Sequence, residues 1–179
     1  MAQIITILAD GFEEIEAVTF IDLLRRARIK TTVLGLNTEE VRGSHGIIVT
    51  SDMLLGDFYG PIDGVVLPGG QPGTTNLANS PEVLKIVKEA NSAGLLCAAI
   101  CAGPSVLAKA GILTGVEATC YPGVESKLSG AIISELPVAR HKNIITSRGV
   151  GTAIPFALEL ISYLAGEEAA LKVKEAILF

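Results

Sequence analysis

A cysteine stands where an apolar run turns a corner: Leu95-Leu96-Cys97-Ala98-Ala99-Ile100-Cys101-Ala102-Gly103-Pro104. The spacing Ala99-x-Cys101-x-Gly103 is that of a nucleophile elbow, a sharp strand-to-helix turn that exposes the reactive atom and admits only small neighbours. The nucleophile here is a thiol. A helix opening between Cys101 and Pro104 offers free N–H groups and a positive dipole end, which favour thiolate over thiol. Pro104 suits a first helical turn, where its missing N–H has no intrahelical partner to lose. Cys97 lies within the apolar run and reads as a small buried hydrophobe, with Cys120 between these two cases.

Two further stretches carry groups that could serve a thiol. Pro68-Gly69-Gly70 follows a short apolar run, and glycines let the main chain approach a ligand closely. With the N–H of Ala102 they would form an oxyanion hole, although a glycine pair after a strand is also what a plain tight turn needs. Glu13, Glu14 and Glu16 open a helix, where carboxylates favour the dipole whatever else they do. Glu16, one turn in, is the one able to face the sheet edge and touch Cys101. A carboxyl buried beside a thiolate has its pKa raised by desolvation and like charge, and its retained proton can hydrogen-bond to sulfur.

These groups need a scaffold that gathers them, and the hydrophobic pattern supplies one. Apolar strands are expected at Ile4–Ala9, Thr31–Leu36, Gly64–Leu67, the Cys101 run and Asn143–Ser147. Between them run helical patterns: Ala17, Phe20, Ile21 and Leu24; Val83, Ile86, Val87 and Ala90 after a Ser80-Pro81 start; and Ala153, Phe156, Ala157, Leu160, Ile161 and Leu164. The elbow helix runs to about Ala110, and a last helix covers Glu167–Leu178. Residues 37–61 read as a short hairpin or edge excursion, and 116–140 as short strands with a turn. Alternating strands and helices predict an α/β fold with a mostly parallel sheet covered on both faces, as one domain over 1–179. Ligands of such sheets bind beyond the carboxyl ends of the strands, where the acids, the glycines and the thiol all lie.

Composition removes several functions. With 19 acidic and 14 basic residues the formal charge is −5, which argues against nucleic-acid binding. The cluster Arg25, Arg26, Arg28, Lys30 lacks interleaved aromatics and reads as the basic end of a helix. The start Met1-Ala2-Gln3 shows no basic leader and the apolar runs are too short to span a membrane, so a soluble cytoplasmic protein is expected. Three cysteines without a C-x-x-C pair, and only His45 and His141, give no zinc signature and fit reduced thiols. His141, in Arg140-His141-Lys142-Asn143, reads as a solvated loop residue.

Four segments together, Ala-Asp-Gly-Phe-Glu-Glu-Ile-Glu (9–16), Val-Val-Leu-Pro-Gly-Gly (65–70), Ala-Ala-Ile-Cys-Ala-Gly-Pro (98–104) and Thr-Ser-Arg-Gly-Val-Gly-Thr (146–152), resemble the ThiJ/PfpI superfamily, in the branch of the parkinsonism-associated protein deglycase. The resemblance covers essentially the whole chain. It implies a flavodoxin-like three-layer sandwich, a homodimer, no cofactor, and a site with Cys101 as nucleophile and oxidation-sensitive thiol. Glu16 is then its protonated partner, Gly70 and Ala102 the main-chain donors, and Gly69, Tyr121 and His45 pocket candidates. Two departures narrow the chemistry. Ala102 stands where the protease-like branch has histidine, which leaves a Cys-His peptidase without its base. Tyr121 replaces a histidine of the deglycase branch, and His45 an arginine. The implied activity is glyoxalase or deglycase chemistry on a small reactive carbonyl or early glycation adduct; the alternative is a redox sensor or stress chaperone using the same cysteine. A thiamine-biosynthesis activity follows from the historical family name alone.

Overall fold

Six strands of one seven-stranded sheet run parallel, so their carboxyl ends meet along a single edge. The computed structural model describes residues 2–179. The strands are β1 (Gln3–Leu8), β2 (Lys30–Gly35), β3 (Glu40–Arg42), β4 (Ile48–Thr50), β5 (Met53–Leu54), β6 (Gly64–Leu67), β7 (Leu96–Ile100), β8 (Glu117–Ala118), β9 (Ile132–Ile133), β10 (Val138–His141) and β11 (Ile144–Ser147). The helices are α1 (Glu14–Arg26), α2 (Gly73–Ala78), α3 (Pro81–Ser92), α4 (Pro104–Lys109), α5 (Ala153–Ala165) and α6 (Glu167–Ala176). The sheet order is β10-β11-β7-β6-β1-β2-β5, with β10 antiparallel to β11. Its central run β2-β1-β6-β7-β11 is the flavodoxin-like order, with the switch point between β1 and β6.

Continuous apolar strands follow from burial on both faces. In β7, Ala98 and Ile100 pack with Phe20, Phe156 and Leu160 of α1 and α5, while Cys97 and Ala99 pack with Val87 and Leu107 of α3 and α4. Side chains alternate across a strand, so every residue of β7 must be small or apolar to serve two cores. The helical stripe of α1 is buried as its spacing requires, at Ala17, Phe20, Ile21 and Leu24. Phe20 meets Phe156 edge to face with ring centroids 6.2 Å apart, joining α1 to α5. Ser80 caps α3 by accepting from the Val83 N–H at 3.3 Å, and Pro81 occupies its first turn.

The structure departs from the sequence pattern in the short elements. The 37–61 excursion contains the β3–β4 hairpin, but it ends in β5, which extends the main sheet parallel to β2. Helix α2 fills a stretch to which the sequence pattern assigns no element, because Gly73 and Thr74 break the apolar periodicity that would announce it. His141 is not in a loop: it ends β10 and pairs with Ile144.

Candidate active site at the carboxyl edge of the sheet

The elbow is built by a residue in a conformation that side chains rarely adopt: Cys101 has φ 64°. That geometry costs about 1–3 kcal/mol and persists only where the surroundings fix it. They do so on both sides of the peptide. The Cys101 N–H donates to the Ser147 carbonyl at 2.9 Å, and its carbonyl accepts from the Tyr121 N–H at 2.9 Å. Helix α4 begins at Pro104, so the free N–H that serves the sulfur is that of Ala102, within the turn. The N–H of Gly70 also reaches the sulfur. Both favour the thiolate, but burial, with the charge and hydrogen bond of Glu16, outweighs them and pushes the Cys101 thiol up to about 12. The thiol-lowering helix terminus expected from sequence is therefore not what dominates here.

Glu16 lies wholly buried on the first turn of α1. Burial pushes its carboxyl up to about 7, against the lowering effect of the Gly69 N–H and of Cys101. Its Oε2 accepts from Gly69 N–H at 2.8 Å, whereas Oε1 is buried with no partner. The two upward shifts share an origin. Two acids in one dry site resist ionising together, so the pair holds a single negative charge near neutrality.

The glycine turn divides its labour. Gly69 gives its N–H to Glu16 and Gly70 gives its N–H to the sulfur. A Cβ on Gly69 would come within 2.5 Å of the Cys101 Cβ and 2.7 Å of Glu16 Oε2, so the close approach of the two acids requires this glycine. Gly70 has φ 89°, a backbone state natural to glycine, and a Cβ there would strike the Glu13 N–H.

Tyr121 is half exposed and stands at the mouth of the site. A Cβ on Gly149 would lie 3.2 Å from the Tyr121 ring and 3.9 Å from Cys101 Sγ, so Gly149 keeps the approach to sulfur open beneath that ring. The sequence signals this position only as one glycine of the 146–152 segment. Cys97 and Cys120 are buried, and burial raises both thiols, to about 12 and about 11.

His45 is not gathered with the sulfur. It faces solvent and reaches Glu14, with Nδ1 3.0 Å from Oε2 and its backbone N–H donating to Oε1 at 2.7 Å. Glu14 also accepts from the Ile47 N–H at 3.3 Å and from Ser44 Oγ at 3.3 Å. Burial raises the Glu14 carboxyl, but these hydrogen bonds overcome it and hold it at about 2, while Glu14 in turn raises His45. Glu13, Glu14 and His45 bring three possible metal ligands within 4.8 Å, yet the Glu14 oxygens are already spent on the 44–47 loop. The trio is a clasp that ties the β3–β4 hairpin to the start of α1.

Comparison with known proteins places this arrangement. The model of the DJ-1/PfpI family matches residues 2–163. The chain is 41% identical over 180 residues to a Parkinson disease protein 7 homolog of Danio rerio, covering 97% of this chain and 95% of that one. It is 34% identical over 170 residues to the glutathione-independent glyoxalase DJR-1.2 of Caenorhabditis elegans, covering 93% and 90%. Among solved structures, oxidized DJ-1 of Toxoplasma gondii superposes with a TM-score of 0.93 at 35% identity, covering 100% of this chain and 99% of that one.

Proposed function

This chain belongs to the DJ-1/PfpI family, and on that footing we propose that it is a cofactor-independent glyoxalase or deglycase acting on small reactive carbonyls or early glycation adducts. The observation that carries this reading is the buried Glu16 carboxyl facing a strained Cys101 whose sulfur receives two backbone N–H groups. The reading requires the reactive form of the pair, with the charge on sulfur beside the Ala102 and Gly70 N–H groups and the proton on Glu16, although burial raises the thiol further than the carboxyl.

With methylglyoxal, the sulfur adds to the aldehyde carbon and Glu16 gives its proton to the new oxygen, forming a hemithioacetal. Glu16 then takes the proton from that carbon and returns one to the adjacent carbon, while the hydroxyl proton passes to the neighbouring ketone oxygen, and the product is a lactate thioester. Water cleaves it, releasing lactate and restoring the thiol. Overall, one methylglyoxal and one water give one lactic acid, with no external oxidant. The Gly70 and Ala102 N–H groups hold the sulfur, and a carboxyl titrating at about 7 is suited to moving protons both ways near neutrality. Lactate formation without glutathione tests the reading. Cys101→Ala should abolish it and Glu16→Gln should slow it by roughly 100-fold or more; equal rates for wild type and Cys101→Ala would overturn it.

A second reading has the same thiol as an oxidation sensor or redox chaperone, supported by the name of the oxidized Toxoplasma relative. Glu16 and the two N–H groups could hold a sulfinate as they hold a thiolate. Mild peroxide should then modify Cys101 first; preferential oxidation of Cys97 or Cys120 would exclude this reading.

A homodimer acting in the cytoplasm is part of the proposal. Ile15 and Val18 on α1, and Ile47 and Ile48 beside the clasp, are large exposed apolar side chains, and no helix among the described residues is long and apolar enough to cross a membrane.

A further inference from the structure

A cleft of about 950 Å³ opens at the sheet edge opposite Cys101, between the end of α1, the start of β2 and the segment from Asp52 to Tyr59. It contains three cations, Arg25, Arg28 and Lys30, against two carboxylates, Asp52 and Asp57, in a chain whose formal charge is −5. Arg25 is committed, donating to Asp52 and to the Thr31 carbonyl at 3.0 Å each. Arg28 and Lys30 are exposed and enter no ion pair among the described residues. Tyr59, 89% exposed, lines the same cleft with Phe58 half buried beneath the segment.

Arg28 sits where an arginine is least at home. Helix α1 ends in a Schellman turn, with the Arg28 N–H donating to Arg25 and the Ile29 N–H to Leu24, and Arg28 takes φ 58°. The same pair of bonds ends α3 at Gly94, α4 at Gly111 and α6 at Leu178, so the chain carries glycine at the equivalent position twice and a side chain twice. Two uncommitted cations beside an exposed aromatic ring match a ligand that combines an anionic group with a flat ring.

We propose that this cleft binds a mononucleotide, its phosphate held by Arg28 and Lys30 and its base stacked on Tyr59. Adenosine monophosphate is the probe, titrated calorimetrically into the full chain, with inorganic phosphate and adenosine as separate arms. Saturable binding with Kd below about 1 mM is expected, at least tenfold tighter than either fragment. Arg28→Gly should weaken it tenfold or more while raising the melting temperature by roughly 2 °C, because glycine relieves the turn. Lys30→Gln and Tyr59→Ala should each weaken it as well, and Cys101→Ala should leave it unchanged. The proposal fails if no saturable binding appears, if Arg28→Gly binds as wild type does, or if inorganic phosphate binds as tightly as the nucleotide.

Discussion

One proton shared between Cys101 and Glu16 governs the candidate chemistry. If the charge of the pair rests on sulfur, thiolate absorbance should appear with an inflection near 7, the value to which burial raises Glu16. In that form Glu16 is neutral and donates to the thiolate, so Glu16→Leu should move the inflection upward by at least one pH unit, roughly a tenfold change in ionisation, whereas an ionised Glu16, which raises the thiol, would on removal move it downward. Absorbance that emerges only at or above the free-thiol value of about 8.5 in the wild type would remove the basis of both readings of Cys101. The elbow itself was legible from residue types, since a cysteine ending an apolar run between the small residues Ala99 and Gly103 fits a sharp strand-to-helix turn. The division of labour between Gly69 and Gly70 was not. Which N–H of a glycine pair meets sulfur and which meets a carboxylate depends on the path of Gly11 to Glu13 against the turn, with Glu13 N–H bonded to the Gly69 carbonyl at 3.0 Å. Gly149 was hidden for a similar reason: its value lies in space left free beside Tyr121, and an unfilled space leaves little trace in a sequence.

The hairpin β3–β4 is tied to the start of α1 by the Glu14 clasp as well as by main-chain bonds from the Gly11 N–H to the Arg42 carbonyl and from the Ser44 N–H to the Phe12 carbonyl, and the clasp's share of its stability depends on pH. The folded Glu14 carboxyl lies at about 2 against an ordinary 4.5, so its contribution is complete above about 4.5 and is lost as pH falls towards 2. His45 is raised above its ordinary 6.5, so its part is complete below that value and fades as pH rises through the folded value. The clasp is strongest between those limits. Glu14→Gln should cost roughly 1–2 kcal/mol in denaturant melts near pH 6, and the gap should shrink by pH 3; a gap independent of pH would contradict the ionic part of the clasp. Long apolar elements such as β1, β7, α1 and α5 announce themselves because burial imposes a period on many residues. The two residues of β5 and the six of α2 carry too few turns of either period, and their partners alone decide them.

At the scale of the molecule, exposed Ile15, Val18, Ile47 and Ile48 make α1 and the hairpin the face on which a second copy would pack. Light scattering should give twice the chain mass, and Val18→Asp with Ile47→Asp should give the monomer; a monomeric wild type at micromolar concentration would exclude the dimer. The parallel sheet covered on both faces was readable from the alternation of elements and its flavodoxin-like form only from the family resemblance, whereas β10 joining the sheet antiparallel was in neither, because its four residues are paired only through β11. That last arrangement bears on when the thiol becomes special. The strained turn at Cys101 is pinned by the Ser147 carbonyl, and the Gly70 and Glu16 contacts come from the far earlier part of the chain. Until residue 147 has emerged and β11 has docked, β7 is paired on one side only, with β6, and the Cys101 N–H lacks its acceptor. The strained turn on which the proposed chemistry depends is therefore completed late in folding, and a growing chain would be spared that chemistry.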